Sequence, residues 1–275
     1  MSNIYNSRNN IAVIMSVYKN DNLVYLKESL ESLFNQTYSN FDILIQQDGK
    51  LSDGVEEYLI DLYKEKKVFY FGQRAFNKGL AYSLNELLNL FLGQYDYFFR
   101  MDADDICHKN RVKSQLTFME HNIDVDVCGS HIKEFYDNFI SEKKKRFPLD
   151  HKECLKRFYK SVPIAHPSAF FRKTFFAKAG LYSIVKINQD SLLWMSGFKN
   201  NCIFANVDDF LLSMRVDNDF ILRRNNKQFR GIKLHNRLKI IQELKLPYYT
   251  YIYAFLTYFL LGLPVFILKF LYKIR

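Results

Sequence analysis

The chain reads as an α/β protein built on an open sheet with right-handed crossovers, and three observations predict it. Short apolar runs with β-branched residues recur through the first hundred positions, apolar residues at helical spacing follow each run, and polar or glycine-bearing turns separate them. Alternation of this kind builds a mainly parallel sheet with helices on its faces. Ile11 to Val17 (IAVIMSV) is almost unbroken in its apolarity, which suits a strand covered on both sides. Leu23, Leu26, Leu30, Leu33 and Phe34 then fall on one helical face, and the pattern ends near Asn35-Gln36-Thr37. Phe41 to Ile45 predicts a second strand closing on Gln47-Asp48-Gly49, and Glu56 to Lys64 a helix. Val68 to Phe71 predicts a third strand, and Gly79 to Leu92 a helix behind the loop Asn77-Lys78-Gly79. Tyr97 to Met101 predicts a fourth strand that runs straight into Asp102-Ala103-Asp104-Asp105.

Composition bounds the rest. With 275 residues, 48% apolar and 17% aromatic, the chain is neither a disordered tail nor a disulfide miniprotein, and its length suits one large domain, or one domain with an appendage. Cys107, Cys128, Cys154 and Cys202 lie far apart with no C-x-x-C pair, which argues against structural zinc and for reduced thiols. Residues 1–10 form a polar tail without an apolar h-region, so no secretory signal is read there and the body is expected in the cytosol. Asn35-Gln36-Thr37, formally a sequon, is then a helix-end turn.

The other end differs. Leu246 to Leu268 carries no charge and is long enough to span a bilayer, although Pro247, Pro264 and the many tyrosines suit an interfacial position better. A buried helix or a dimer contact is the plainer alternative. Upstream, Arg223, Arg224, Lys227, Arg230, Lys233, Arg237, Lys239 and Lys245 accompany a single acid, Glu243. A basic run beside an apolar tail suits anionic lipid headgroups; a solvated face explains it too. Nucleic acid is the other polyanion, but no RRM, zinc-finger or helix-turn-helix pattern supports it, and no nucleic-acid partner is expected.

In open α/β sheets ligands bind beyond the carboxyl ends of the strands, where Tyr18, Asp48 and the acidic turn stand. Three carboxylates within four residues raise one another's pKa unless a cation or hydrogen-bond donors relieve them. Hard divalent ions bind through one or two carboxylates and complete their shell with phosphate oxygens and water. An acidic turn alone is weak evidence, since Asp105 also fits a cap for a helix over Lys109 to Phe118. Neither G-x-G-x-x-G after the first strand nor G-x-x-x-x-G-K-[ST] occurs, so a bound diphosphate would rely on metal rather than on a glycine cradle. That combination points to a sugar nucleotide.

The order IAVIMSVYKND, NQTYSNFDILIQQDG, NKGLAYSLNELL, FFRMDADDICHKNRV, AHPSAFFRK, NQDSLLWMSGF resembles the family 2 glycosyltransferases. DGKLSDG, RMDADD and MRVDNDFILRRN resemble the bacterial exopolysaccharide, capsule and O-antigen members, including the amylovoran type. The resemblance covers about Ile11 to Arg224 and implies a GT-A fold: a Rossmann-like, mostly parallel open sheet flanked by helices, with a C-terminal helical membrane-associating segment. It implies a nucleotide-sugar half over 11–105, an acceptor half with the catalytic base over 106–222, and a membrane-associating segment over 223–275.

Residue by residue, the resemblance puts Ser16, Val17 and Tyr18 around uracil and ribose, with Asp48 accepting the uracil N3–H. Asp48 also fits a plain Asp-Gly turn, and Gln47 stands where many relatives carry a first acid. Asn77 and Gly79, with Asn85 beyond, would lie below the nucleotide. Arg100 either contacts the nucleotide or neutralises Asp102. Asp104 is the first choice for the metal, Mn²⁺ or Mg²⁺; Asp102, beside Ala103, serves the ribose or a second metal contact, and Asp105 is structural. His166 and Trp194 are acceptor candidates, His166 fitting a structural histidine equally. Asp190 is the general base, or an N-cap; Gln189 replaces the usual preceding Glu.

The implied reaction is an inverting transfer of a hexose or N-acetylhexosamine from a UDP-sugar to a sugar on a polyprenyl diphosphate, at the inner face of the plasma membrane. Two other classes remain: a nucleotidyltransferase that forms sugar nucleotides, and a non-catalytic membrane-associated binding module. Donor identity, linkage and oligomeric state rest on small free-energy differences that sequence does not expose.

Overall fold

β1 (Ile11–Tyr18) organises the first half of the sheet because it carries almost nothing that needs water. Ile11, Val13, Met15 and Val17 join the core on one face, while Ala12 and Ile14 join the core on the other. A strand buried on both faces needs hydrogen-bonded neighbours on both edges, and β2 (Asp42–Asp48) and β4 (Tyr97–Arg100) supply them, both parallel. β3 (Tyr70–Gly72) adds to β2, also parallel. The protein is seen here as a computed structural model that describes residues 10–136, 142–216 and 226–268.

Three helices make the crossovers. α1 (Leu23–Phe34) starts where the Asn22 side chain accepts the Val24 N–H at 2.8 Å, and buries Leu26, Leu30 and Leu33. α2 (Asp53–Lys64) begins three residues before the predicted Glu56, because the Ser52 carbonyl already accepts the Val55 and Glu56 N–H groups. α3 (Leu80–Phe91) buries Leu84, Leu87, Leu88 and Phe91 on the opposite face of the sheet. The third strand starts at Tyr70 rather than Val68, since the Val68 N–H is drawn back to the Leu62 carbonyl that ends α2.

Register fixes the site. Tyr18 lies beside Asp48 and Ile14 beside Arg100, so the carboxyl ends of β1, β2 and β4 open on one edge. The predicted fourth strand stops at Arg100, and the acidic residues turn away into β5 (Ile106–Cys107). α4 (Arg111–His121) starts after Asn110, two residues later than expected. Asp105 is not its cap; the carboxylate instead accepts the Arg215 N–H at 3.0 Å.

The second half is mixed. β6 (Val127–Phe135) pairs antiparallel with β7 (Glu142–Lys145) and β8 (Phe170–Arg172), and parallel with β9 (Phe204–Arg215), the register slipping around His131. β8 joins β4 antiparallel and β9 joins β5, closing one sheet in the order β3-β2-β1-β4-β8-β6-β9-β5 with β7 beside β6. α5 (His151–Phe158), α6 (Lys173–Ala179) and α7 (Gln189–Lys199) cover this half. An aromatic cluster joins them: Phe171 stacks on Trp194 at 5.7 Å, and Phe198 on Phe204 at 3.9 Å. α8 (Lys227–Glu243) and α9 (Tyr249–Leu260) pack against each other at the end of the described chain. No helix among the described residues is long and apolar enough to cross a membrane. The four cysteines are buried and unbridged, as expected.

Gly129 shows how tightly the second half is packed. A Cβ there would meet Ile164 Cγ2 at 2.5 Å and overlap the buried Asn206 amide, which is held by the Pro148 and Pro163 carbonyls. Neither neighbour has room to yield. Gly129→Ala is therefore expected to cost about 1–3 kcal/mol of overpacking strain, read as a lower denaturation midpoint with an unchanged m-value.

Candidate active site

Four carboxylates gather beyond β1 and β4. Asp102, Asp104 and Asp105 hold carboxylate oxygens within 4.8 Å of one another. Asp21, four residues past Val17, faces the same cluster from the β1 side: its carboxylate accepts the Tyr18 N–H at 2.8 Å while its own N–H donates to the Tyr18 carbonyl. Burial and then the charges of Asp104 and Asp102 push the Asp21 carboxyl up to about 7. Burial and Asp102 push Asp104 up to about 6. Asp105 is raised well above the usual range by burial first and then by Asp102 and Asp104.

Two guanidinium groups answer this charge. Arg100, buried, pairs with Asp102. Arg215, at the end of β9, donates its N–H to Asp105 Oδ1 and its Nε to the Asp104 carbonyl at 3.0 Å, and pairs with Glu28 of α1. Its guanidinium is sandwiched between the Tyr25 and Phe135 rings, 3.9 and 4.6 Å from their centroids. The acidic turn is thus held from behind with its carboxylates still in negative excess.

The residues fit a hard divalent cation. The donor set is oxygen only, and one carboxylate oxygen of Asp105 is buried without a partner. Such an orphan in a buried cluster is costly unless a cation or water meets it.

Asp48 is built differently from the expectation of an open hydrogen-bond acceptor. It is 3% exposed, and Oδ1 receives Arg74 and the Lys78 N–H while Oδ2 receives Asn77 Nδ2 at 3.0 Å and the Gly79 N–H at 2.9 Å. Both oxygens are doubly engaged. The loop after β3 therefore wraps around Asp48, and Gly79 supplies the positive φ of 93° that lets its N–H turn inward. Arg74, which sequence reasoning missed, ties Asp48 to Glu86 and Ser83 of α3.

On the other side of the acidic turn, the segment between α6 and α7 is pinned to α3. Asn85 Nδ2 donates to the Tyr182 carbonyl at 2.8 Å and Asn85 Oδ1 accepts the Tyr182 N–H at 2.9 Å. Asn85 thus joins α3 to the segment before α7. The Tyr182 hydroxyl meets His166 Nε2 at 2.8 Å. Burial raises its pKa, and the charges of Asp190 and Asp102 add to the rise, so the phenol lies in the field of both carboxylates. His166 is held neutral, its pKa well below the usual value through burial and the nearby Arg100 cation.

The remaining expected residues divide. Ser16 and Tyr18 are accessible at the strand end, but the Val17 and Ala103 side chains lie in the core, leaving only their backbone to face a ligand. Trp194 has no exposed surface and belongs to the aromatic cluster, so it supports α7 and cannot touch an acceptor. Asp190 is not the N-cap of α7; that position is Asn188, in the left-handed region at φ 62°, and Asp190 sits partly exposed in the first turn. Asp21, Arg74, Tyr182 and Arg215 carried no motif that marked them, although Asp21 and Arg215 lie inside YKND and MRVDN.

A parallel half-sheet ending on an acidic turn, continued by a mixed half, is the architecture of a GT-A fold. The chain belongs to the glycosyl transferase family 2, whose model matches residues 12–180. It is 28% identical over 251 residues to the UDP-Gal:alpha-D-GlcNAc-diphosphoundecaprenol beta-1,3-galactosyltransferase of Escherichia coli, covering 90% of this chain and 85% of that protein. It is likewise 28% identical over 222 residues to an amylovoran biosynthesis glycosyltransferase of Erwinia amylovora, covering 78% and 79%. The fold matches residues 1–349 of S. aureus TarS in complex with UDP-GlcNAc with a TM-score of 0.62 at 16% identity, covering 85% of this chain and 70% of that one. Against the longer TarS chain the match spans 42% of its length.

The raised carboxyls give a sign for pH dependence. Folded Asp104 and Asp21 keep protons up to about 6 and about 7, while unfolded aspartates, near 3.8, have lost theirs. These two carboxyls therefore contribute stability, without metal, that is lost as pH rises from about 4 to about 7, against the opposite contribution of His131, His151 and His166, whose pKa values burial lowers. Thermal unfolding in chelator should show the parental midpoint dropping across this range relative to that of Asp21→Asn, and Mn²⁺ should recover it at the upper end. A difference between the two chains that does not change with pH would contradict the assigned charge excess.

Proposed function

We propose that this family 2 enzyme is an inverting glycosyltransferase that moves a hexose or N-acetylhexosamine from a UDP-sugar to a sugar carried on a polyprenyl diphosphate, in the synthesis of a capsule, O-antigen or exopolysaccharide. The observation that carries the reading is the oxygen-only cluster of Asp102, Asp104 and Asp105 at the carboxyl end of β4, under-neutralised by Arg100 and Arg215. The names of the two relatives support the donor, the lipid-linked acceptor and the polysaccharide setting. The UDP-GlcNAc complex of the TarS fold supports a uridine donor.

Asp104, with Asp102, would hold Mn²⁺ or Mg²⁺, which when bound offsets the charge of the UDP leaving group. The chain's own residues do the rest. The ends of β1 and β2, with Ser16, the Val17 backbone and Tyr18, receive the uridine. Asp48 keeps the Arg74 to Gly79 loop in place beneath it. Arg100 orients Asp102 beside the ribose, and Arg215 fixes the turn. Asp190 accepts the proton of the acceptor hydroxyl as that oxygen bonds to the anomeric carbon; the bond from that carbon to the β-phosphate oxygen breaks, and UDP leaves with the electron pair. Backside attack inverts the centre. Tyr182, anchored by Asn85 and neutral His166, holds the distance between the donor-side and acceptor-side carboxylates.

In this division residues 11–105 take the donor, 106–222 take the acceptor and supply the base, and 223–275 bring the enzyme to the cytoplasmic face of the membrane where a polyprenyl acceptor resides. The 222/223 boundary lies outside the described residues.

Asp190→Asn should retain protection from thermal unfolding by UDP and Mn²⁺ yet lose about 10²- to 10⁴-fold in transfer, the usual worth of a positioned base. Asp104→Ala should lose the metal-dependent part of that protection. UDP release in a screen of UDP-sugars against a polyprenyl-diphosphate sugar measures both, and the anomeric configuration of the product reports inversion. Transfer by Asp190→Asn at near the parental rate would remove Asp190 from the mechanism; release of pyrophosphate in place of UDP would remove the reaction.

A further inference from the structure

The chain's excess charge is segregated. Residues 223–275 hold eleven Lys or Arg and one acid, whereas residues 1–222 hold twenty-eight of each sign, so the whole net charge of +10 sits in the last fifth of the sequence. In the same segment α9 leaves a large apolar face uncovered. Its inner side is shut against the body through Thr250 and Ala254, both buried. Its outer side presents Ile252, Phe255, Leu256 and Phe259, spaced i, i+3, i+4, i+7 and 44% to 67% exposed. Tyr248 on its N-terminal side and Phe266 beyond its end are more exposed still. Exposed apolar side chains scattered singly are ordinary; a row of this size on one helix face is not.

The geometry points to the surface of an anionic bilayer as the occupant of this face: α9 lies in the interfacial plane with Ile252, Phe255, Leu256 and Phe259 immersed, and the exposed Lys227, Lys239 and Lys245 meet lipid phosphates. The length of α9, 12 residues or about 18 Å, falls well short of the ~30 Å hydrocarbon core, so the helix lies along the interface instead of crossing it. A second copy of the chain fits the face poorly, because pairing would bring two segments of +10 together. Nucleic acid would satisfy the cations but gain nothing from phenylalanine, leucine and isoleucine at the centre of the patch. A bilayer satisfies both at once.

The same element is bolted to the catalytic half. α8 buries Ile240 and Ile241 in the core that holds Trp194. Arg237 donates to the Phe158 carbonyl, Lys199 of α7 pairs with Glu243 at 2.6 Å, and Asn236 Nδ2 reaches the Ile187 carbonyl at 3.4 Å, three residues before Asp190. Arg230, lying against the Tyr258 ring, links α8 to α9. Docking of α9 on a membrane therefore sets the height and tilt of the helix that carries Asp190. The inference deepens the lipid-linked acceptor reading above, and its test uses neither donor nor acceptor, so either can fail alone.

The full chain is sedimented with sucrose-loaded vesicles of phosphatidylcholine alone or with about one third phosphatidylglycerol. Binding is expected to the anionic vesicles, to weaken with salt, and to fall about fivefold for each of Lys239→Gln and Lys245→Gln, the worth of one cation near such a surface. Phe255→Ser with Phe259→Ser should lower binding at least tenfold while UDP protection and the unfolding midpoint stay at the parental values. Trp194 is the chain's one tryptophan and is fully buried, so Phe259→Trp adds a clean reporter. Its emission should be quenched most by lipids brominated near the headgroup end of the acyl chain. Equal binding by the serine variant, no quenching of the new tryptophan, or a dimer that the serine substitutions dissolve would each overturn the proposal.

Discussion

Repulsion among carboxylates at the end of β4 is the constraint around which the rest of the site is arranged. Asp102, Asp104 and Asp105 follow a buried strand, and Asp21 comes to meet them from β1. Such a group stays together only if cations are fixed around it, and one of the two that serve is placed by a distant part of the chain. Arg100 comes from the strand itself, but Arg215 reaches the turn only because β9 crosses the second half-sheet and pairs with β5. The mixed half of the sheet thus has a role at the acidic turn itself. It delivers the guanidinium that keeps the acidic turn in shape, with aromatic faces of α1 and β6 locking its orientation.

Pairs of contacts of this type couple the two halves elsewhere. Asn85 holds Tyr182 by both its backbone groups, so α3, packed under the first half-sheet, sets the position of the segment that leads into Asp190. Asp48 holds the loop that begins α3, through four donors on one carboxylate. Strand β2, helix α3 and the Tyr182 segment are therefore tied together by hydrogen bonds at both ends of α3.

Much of the first half was legible because burial on both faces leaves a local trace. IAVIMSV can be little other than a central parallel strand, and a strand that ends in DADD marks its own functional edge. The second half left weaker traces. β8 is three residues long, and β9 carries the polar run Asp208-Asp209 inside a twelve-residue strand, so neither shows clean alternation. Side-chain roles were hardest to read. Trp194 is an acceptor candidate by its place after Asp190, yet helix α7 turns it inward onto Phe171. Asp48 looked like a free acceptor because the partners that saturate it, Arg74 and the Lys78 and Gly79 amides, are thirty residues away in sequence and meet it only through the β2 to β3 register.

The segregation of charge also has a structural logic. Residues 1–222 carry as many acids as bases, so they exert no net-charge attraction on an anionic surface, and the excess that could do so lies in residues 223–275. On the membrane reading, the exposed Lys227, Lys239 and Lys245 would act together with the apolar face of α9. Because α8 stands between that face and the turn bearing Asp190, the surface that attracts a bilayer and the carboxylate that would meet a membrane-borne hydroxyl belong to one rigid unit. On the proposed function, an acceptor diffusing in the membrane plane would meet Asp190 at a distance set by helix packing rather than by a flexible tether, which would lower the orientational entropy that a transfer from a soluble donor to a lipid-bound alcohol must overcome.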